Sequence, residues 1–499
     1  MKRPLYLFLI FFGLLVFLPE YSDSAKIGYT EGDWVSFSPA RFVTSIALDD
    51  YNVYFATRDA GVLRFDRFAE KWKDPLTISD DLPSNHINRI AFDLNDNELW
   101  IDARGGVGVY EPTFEDFIYG GDFPDELVLG NTPNFNPGSL FPEFGYNYMS
   151  GSLVDPYGRK YNLNKVYVDD RYKAWIGFAG LGPSMLNTRT SELKLLRFGP
   201  LTGDQRAVMI DGDYLFTGGY PESGRSGFAL LDLYDMEWDY WEAPYDFKLH
   251  NVRINCVAFE DGIAWIGTTQ GLVRFDVQRE SFRVFRVFNG LLSNYISTIA
   301  IDGYQLWVGT DNGLNLLDLR GGPTDSLEGN TLPRNQTFRA KFIYDIALDE
   351  NFIYVGYEDG IAYRARNADR WSFYTAADFS GTSDITSIVS TKQGLWLGHA
   401  GEIVHFDPQN EIRQGYTPAG LANSIVNDLI EYSEKDLIFA ATDNGLVGIN
   451  PATAEAELFD ETDGLLFPQV FSIAVKDEYL WLATTRGLTR LYIPALRIY

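Results

Sequence analysis

The sequence offers few groups suited to covalent or metal chemistry. It carries four histidines, His86, His250, His399 and His405, and one cysteine, Cys256. A single thiol excludes an internal disulfide and a thiolate zinc cage. His399 and His405 flank an expected hairpin with Glu402 nearby, yet no three ligands fall in an evident converging geometry. Acidic spots at Asp49-Asp50, Asp93 to Glu98, Asp169-Asp170, Asp211 to Asp213 and Asp302-Gly303 read first as turns, because Asp and Asn bond their own backbone. The run from Asp93 to Glu98 lacks the glycine and closing glutamate of an EF-hand loop, and calcium at such a turn stays an open alternative. There is no Gly-x-Ser-x-Gly elbow, no His-Glu-x-x-His and no phosphate-cradling loop. A glycosidase needs two carboxylates at a set separation, and 69 acidic residues supply pairs without marking one. The expectation is a non-enzyme with no catalytic residues, no metal and no cofactor.

Aromatic residues point to binding chemistry instead. The stretch 120–163 holds Phe123, Phe135, Phe141, Phe144, Tyr146, Tyr148, Tyr157 and Tyr161 among Gly, Pro and Asn. A second loop, Gly218 to Ser226, holds Tyr220 and Arg225. Flat rings beside amides and carboxylates suit sugars, whose C–H faces stack while their hydroxyls take hydrogen bonds. The candidate ligand residues are therefore Phe135, Phe141, Tyr146, Tyr148, Tyr220 and Arg225. The competing reading makes the insertion a lid folded on itself, its rings forming a satellite core. A third expansion, roughly 320–337, reads as a solvated loop.

Composition narrows the setting. The 499 residues are 45% hydrophobic and 15% aromatic, ample for a large core. Forty-one Lys and Arg against 69 Asp and Glu leave a net charge of −28, with no basic run after the start, which argues against nucleic acid. Lys2 and Arg3 precede an apolar run from Leu5 to Leu18, then Pro19 and small residues to Ala25. That is the layout of a signal peptide over 1–25. The run is short for a spanning helix, although an uncleaved anchor is the alternative. No later stretch is apolar enough to span, so a secreted or periplasmic protein without a membrane span is expected.

The chain then repeats. The clearest copies are Ala264-Trp265-Ile266-Gly267-Thr268 followed by Gly271 to Asp276, and Leu306-Trp307-Val308-Gly309-Thr310 followed by Gly313-Leu314. Alignment puts an aromatic at Tyr54, Trp100, Trp175, Phe216, Trp265, Trp307, Tyr354, Trp396, Phe439 and Trp481, ten copies in all. Their spacing is 41–49 residues apart from one step of 75, which contains the insertion. Each unit reads as four short strands. In the fifth copy these are Ile254 to Phe259, Ile263 to Thr268, Leu272 to Asp276 and Phe282 to Val287. Asn312-Gly313, Asp359-Gly360 and Asn444-Gly445 are hairpin turns. Such a unit cannot cover its own faces, but units stacked about an axis can. The fold class is all-β, a β-propeller of four-stranded antiparallel blades with about ten repeats over 26–499, expected in one ring. Two smaller rings, or fewer blades with insertions, are the alternatives. The ten repeat aromatics are read as packing between blades. Trp34-Val35-Ser36-Phe37 looks like a fourth strand that joins the last blade and ties the ends together, with Ala495 to Tyr499 competing for that slot.

The repeat Leu-Trp-Ile/Val-Gly-Thr-x-x-Gly-Leu-x-Arg-Phe-Asp resembles the two-component regulator propeller repeat. That family builds extracytoplasmic sensor regions of hybrid two-component histidine kinases, some of which bind glycan fragments. The resemblance covers nearly all the chain after the leader and is clearest in copies five, six, eight, nine and ten. No kinase and no helix-turn-helix accompany it, so the resemblance is to the sensor part alone. It implies a sensor-like binding propeller for a glycan or other envelope ligand. A scaffold for a protein partner in the envelope and a polysaccharide-acting enzyme are the alternatives.

Overall fold

Local chemistry explains why each repeat folds as it does. In Thr268-Thr269-Gln270-Gly271 the buried Thr268 hydroxyl donates to the Gly271 carbonyl at 2.7 Å and accepts from Gln270 N at 2.9 Å. The same bond recurs from Thr57, Thr310, Thr442 and Thr484 at 2.7–3.0 Å. Gly445 sits at φ 134°, where a Cβ would meet the Phe459 carbonyl oxygen at 2.4 Å. The repeated Thr and the second repeated Gly are thus hairpin chemistry.

The computed structural model describes residues 29–30, 32–132, 135, 140–243, 246, 249–320, 338, 340–375, 378, 384–407, 412–496 and 498. The expected signal peptide and most of the third expansion lie outside the described residues. Among the described residues there are ten sheets, eight of four strands, one of three and one of seven. They form blades 1 (43–76), 2 (87–119), 3 (160–195), 4 (205–242), 5 (254–285), 6 (296–318), 7 (343–375), 8 (387–416), 9 (426–459) and 10 (470–492). The fifth runs Ile254–Glu260, Ile263–Thr268, Gly271–Asp276 and Ser281–Phe285, within two residues of the sequence reading. Every repeat aromatic stands on the second strand of its blade. Eight are buried, and Trp100 and Tyr354 are partly exposed.

Trp34–Phe37 pairs antiparallel with Gly487–Tyr492, with Trp34 opposite Leu491 and Phe37 opposite Leu488. The leading strand therefore completes blade 10. Beyond it, Ile493–Ala495 is a short 3-10 turn, and Ile498 packs against the core between blades 9 and 10.

The expected single ring of ten blades is not what forms. Hydrogen bonds between innermost strands show who neighbours whom. Asn255 Nδ2 donates to Ile296 O at 2.8 Å, Ser297 Oγ to Ile343 O at 2.5 Å, Thr386 Oγ1 to Val426 O at 2.5 Å and Asn427 Nδ2 to Val470 O at 2.8 Å. Ser472 then meets the Val208 backbone at 3.4 Å, joining blade 10 to blade 4. Shared apolar cores link blades 4 to 5, 5 to 6, 6 to 7, 7 to 8, 8 to 9 and 9 to 10, and another brings Ala474 and Trp481 of blade 10 against Val208 and Leu231 of blade 4. Blades 4–10 are a closed seven-bladed ring.

Blades 1–3 form a separate arc. Asn164 Nδ2 of blade 3 donates to Val43 O of blade 1 at 2.7 Å, and Thr44 Oγ1 of blade 1 donates to Ile87 O of blade 2 at 2.7 Å. The spatial order is 3-1-2. Trp175 packs on Phe55 and Phe65, and a buried Arg67–Asp169 pair at 2.8 Å reinforces the 3-to-1 contact. Among the described residues no hydrophobic core joins blade 2 to blade 3.

The reason is visible at one position. Gly309 lies so close to the next blade that a Cβ would stand 2.8 Å from Ile343. Blade 2 has Asp102 there, bonded to Arg89 Nε at 2.8 Å, with Arg89 also paired to Asp125 and 4.3 Å from the Phe123 ring centre. A charged pair cannot receive an apolar neighbour, so the arc ends at blade 2. The arc's other end, blade 3, is covered by the insertion. Short strands Asn147–Met149 and Ser152–Val154 extend its sheet, and Leu153 and Tyr161 join Ala174, Ile176 and Phe178 in a satellite core.

Two acids stand on innermost strands of the ring. Asp345 and Asp428 accept backbone N–H bonds from the following blade, Ile388 N at 2.7 Å and Ile473 N at 2.8 Å. Burial raises both pKa values, that of Asp428 to about 7. A raised carboxyl pKa means the folded protein holds the proton more tightly than the unfolded chain. The associated stability is complete below about pH 4 and is lost as pH rises through about 7. The melting temperature is expected to fall between about pH 5 and pH 8, with a shallower slope in Asp428→Asn. Equal slopes in the two proteins would refute the assignment.

Candidate ligand-binding site

The arc leans on the ring along a seam where the chain leaves after Phe37 and returns before Gln205. The two connectors run side by side, with Ala40 N donating to Phe198 O at 3.4 Å. Aromatic rings fill the seam. Phe198 lies 5.9 Å from Phe37 and 5.2 Å from Trp72, and Phe37 lies 5.4 Å from Trp481.

A cavity of about 290 Å³ opens at this seam, walled by the connectors, the insertion and blade 4. Its rings are Phe144, Tyr146 and Tyr157 from the insertion, Phe198 from the returning connector, and Tyr240 and Trp241 from Glu237–Glu242, the fourth strand of blade 4. Arg225 enters from a tight hairpin in which Glu222 pairs with Arg225 around Ser223 and Gly224, at φ 51° and 78°. Glu242 accepts from Arg225 and, at 2.8 Å, from Arg159 Nη1, while Arg159 Nε binds Asp155 at 2.6 Å. Burial alone would raise the Glu242 pKa, but Arg225 and Arg159 outweigh it and bring it down to about 2. Burial also opposes the charge on Arg225, and Glu242 restores it. The network stays ionised across the physiological range. Arg225 Nε is buried without a partner. Burial raises the pKa of Tyr146, and that of Tyr240 to about 12, so both hydroxyls stay neutral, with Tyr240 Oη donating its proton to Gly199 O at 2.8 Å. The cavity combines flat rings, neutral tyrosine hydroxyls and fixed charge, which suits a polyhydroxylated ligand.

The structure divides the sequence-predicted residues. Tyr146 and Arg225 meet in this cavity. Phe135 and Tyr148 pack into the satellite core beside blade 3, and Phe141 is 63% exposed on the outer edge, where Phe141–Pro142 pairs with Glu192–Leu195. Tyr220 stands elsewhere, its ring 4.5 Å from the Arg206 guanidinium and its hydroxyl 3.5 Å from Asn255 Oδ1. Arg41, Arg197, Tyr240 and Glu242 were not foreseen. The run Trp238-Asp239-Tyr240-Trp241, three rings in four residues, was the available signal, matched in blade 7 by Trp371-Ser372-Phe373-Tyr374. His405 stacks on Trp396 at 4.6 Å and bonds Gln393 O, His399 lies 3.8 Å from Glu402, and no three potential metal ligands cluster among the described residues.

Ring, arc and blade chemistry together define a β-propeller protein. No protein-family model and no curated protein matches the chain. Similar solved structures include the extracellular domain of BT4673 from B. thetaiotaomicron, reported as a hybrid two-component system. It is 18% identical, with 90% of this chain and 70% of that one covered and a TM-score of 0.48. The corresponding domain of BT3049 from the same organism is 15% identical over 91% and 68% of the two chains, with a TM-score of 0.47. PorZ, a surface component of the type-IX secretion system of Porphyromonas gingivalis, is 14% identical over 90% and 68%, with a TM-score of 0.50. At these identities the likeness is one of fold.

Proposed function

We propose that the chain is an extracytoplasmic, sensor-like and non-catalytic propeller that binds a glycan or another envelope ligand at the seam. The carrying observation is the cavity where Tyr146, Tyr240 and Arg225 converge from the insertion and blade 4. Its most buried carboxylate, Glu242, is committed to Arg225 and Arg159 and is a poor proton donor. Export is supported by the leader-like start, and among the described residues no helix is long and apolar enough to cross a membrane.

The test is a thermal-shift screen of the mature protein against oligosaccharides. A binder must raise the melting temperature, and Tyr146→Ala should weaken it about ten-fold or more. Absence of any shift at millimolar oligosaccharide, or an unaffected Tyr146→Ala, would defeat this reading.

A second reading, a scaffold for a protein partner, is favoured by the free end of the arc. Ile118 is 50% and Tyr119 59% exposed on the fourth strand of blade 2, with Phe114 77% exposed before it.

A further inference from the structure

A larger cavity, about 630 Å³, lies along the same seam between blades 1, 2, 4 and 10. Its lining departs from the rest of the molecule in charge. It includes Arg41, Arg58, Arg104 and Arg486 against two carboxylates, Asp59 and Glu222, in a chain of net charge −28.

Three of those arginines occupy one structural position. Arg58, Arg104 and Arg486 are at the tips of the hairpins joining second to third strands in blades 1, 2 and 10. The equivalent short tips of blades 3 and 5–9 read Ala179-Gly180, Thr269-Gln270, Asp311-Asn312, Glu358-Asp359, Ala400-Gly401 and Asp443-Asn444, with no basic residue. Among the short tips arginine therefore appears only in blades 1, 2 and 10, three of the four blades that surround the cavity; the fourth, blade 4, has the longer hairpin 220–226, which sends Glu222 to this cavity and Arg225 to the other. A solubilising role would not produce that restriction.

The charges are only partly spent. Arg58 is 3.3 Å from Asp59 and rests on the Phe42 ring at 3.7 Å. Arg41 is 3.5 Å from Glu222 and donates to Leu201 O at 2.7 Å. Arg104 and Arg486 make no ion pair among the described residues, and Arg486 lies 4.5 Å from the Phe467 ring centre. Beside Arg486, the Thr485 hydroxyl is buried without a partner. His86 and Ser84 complete the polar wall.

We infer that this cavity binds an anionic ligand through its oxyanion groups, whether carboxylate, sulfate or phosphate, with Arg104 and Arg486 as the principal contacts. Guanidinium groups present forked donors matched to such oxygens. A concave cationic spot on an otherwise acidic surface concentrates anions there and repels them elsewhere. The site is separate from the Tyr146 cavity, sharing only Pro39 and Arg41 with it, and does not depend on the glycan reading.

The test uses the full mature chain at low ionic strength. Probes are polygalacturonate, dextran sulfate and polyphosphate, with uncharged dextran as the reference. At least one anionic probe should raise the melting temperature and bind in titration, dextran should not, and added salt should weaken binding. The three probes separate carboxylate, sulfate and phosphate sources. Arg104→Gln with Arg486→Gln should lose about ten-fold or more in affinity. The single variant Arg104→Gln should show part of that loss if the pair fails to fold. Arg279→Gln, at a site 79% exposed on blade 5, should bind as the parent does. Binding by none of the probes, unchanged affinity in the Arg104 variants, or an equal loss in Arg279→Gln would overturn the inference.

Discussion

Removal of residues 29–37 is expected to leave a chain that precipitates, or that melts at least about 5 °C below the parent. Trp34–Phe37 is the fourth strand of blade 10, and all four of its residues are buried. Trp34 is 2% exposed, lies 6.4 Å from Phe459 and sits so close to Gly464 that a Cβ there would stand 2.7 Å away. Phe37 belongs to the core shared by arc and ring. Loss of the strand therefore bares a sheet edge and opens the seam together. Differential scanning calorimetry of the truncated chain checks this, and a peptide of residues 29–38 added in trans should restore part of the transition. An unchanged melt would show that blade 10 is complete without it.

The second large effect is a contrast between two tryptophans at the same repeat position. Trp307→Ala is expected to cost about 3–5 kcal/mol, because Trp307 is fully buried between blades 6 and 7. Trp100→Ala should cost about 1–2 kcal/mol. It lies at the end of the arc, is only partly buried, and has the loop at Gly121 against it in place of a following blade. Denaturant titration of both variants measures the difference. Equal costs would mean that blade 2 has a neighbour after all.

That contrast shows what was legible in advance. The strand boundaries, the hairpin glycines and the clasp by Trp34–Phe37 could be read because each depends on a few adjacent residues. Blade count was equally plain. Ring count was not, since a repeat such as Trp307-Val308-Gly309-Thr310 announces that a neighbour exists without saying which. The order 3-1-2 depends on contacts between residues as distant as Val43 and Asn164. One local mark was nevertheless present. Asp102 replaces the small residue that every other copy carries, and a carboxylate at a blade-to-blade contact signals an end. The insertion was half legible for a similar reason. Its rings announce burial or binding, but only the fold decides that Phe135 serves the satellite core alone while Tyr146 packs on that core and also lines the cavity.

The place where the chain departs at Ser38 and comes back at Gly199 has a bearing on modularity. A Cβ on Gly199 would meet the Ser38 carbonyl oxygen at 2.2 Å, so outgoing and incoming backbones touch. Any module whose two termini are equally close could be spliced in at that gate while the seven blades beyond it keep their register. The circular part is thus a chassis in the engineering sense, and the three-blade arc is the portion that can be lengthened, shortened or exchanged without disturbing it.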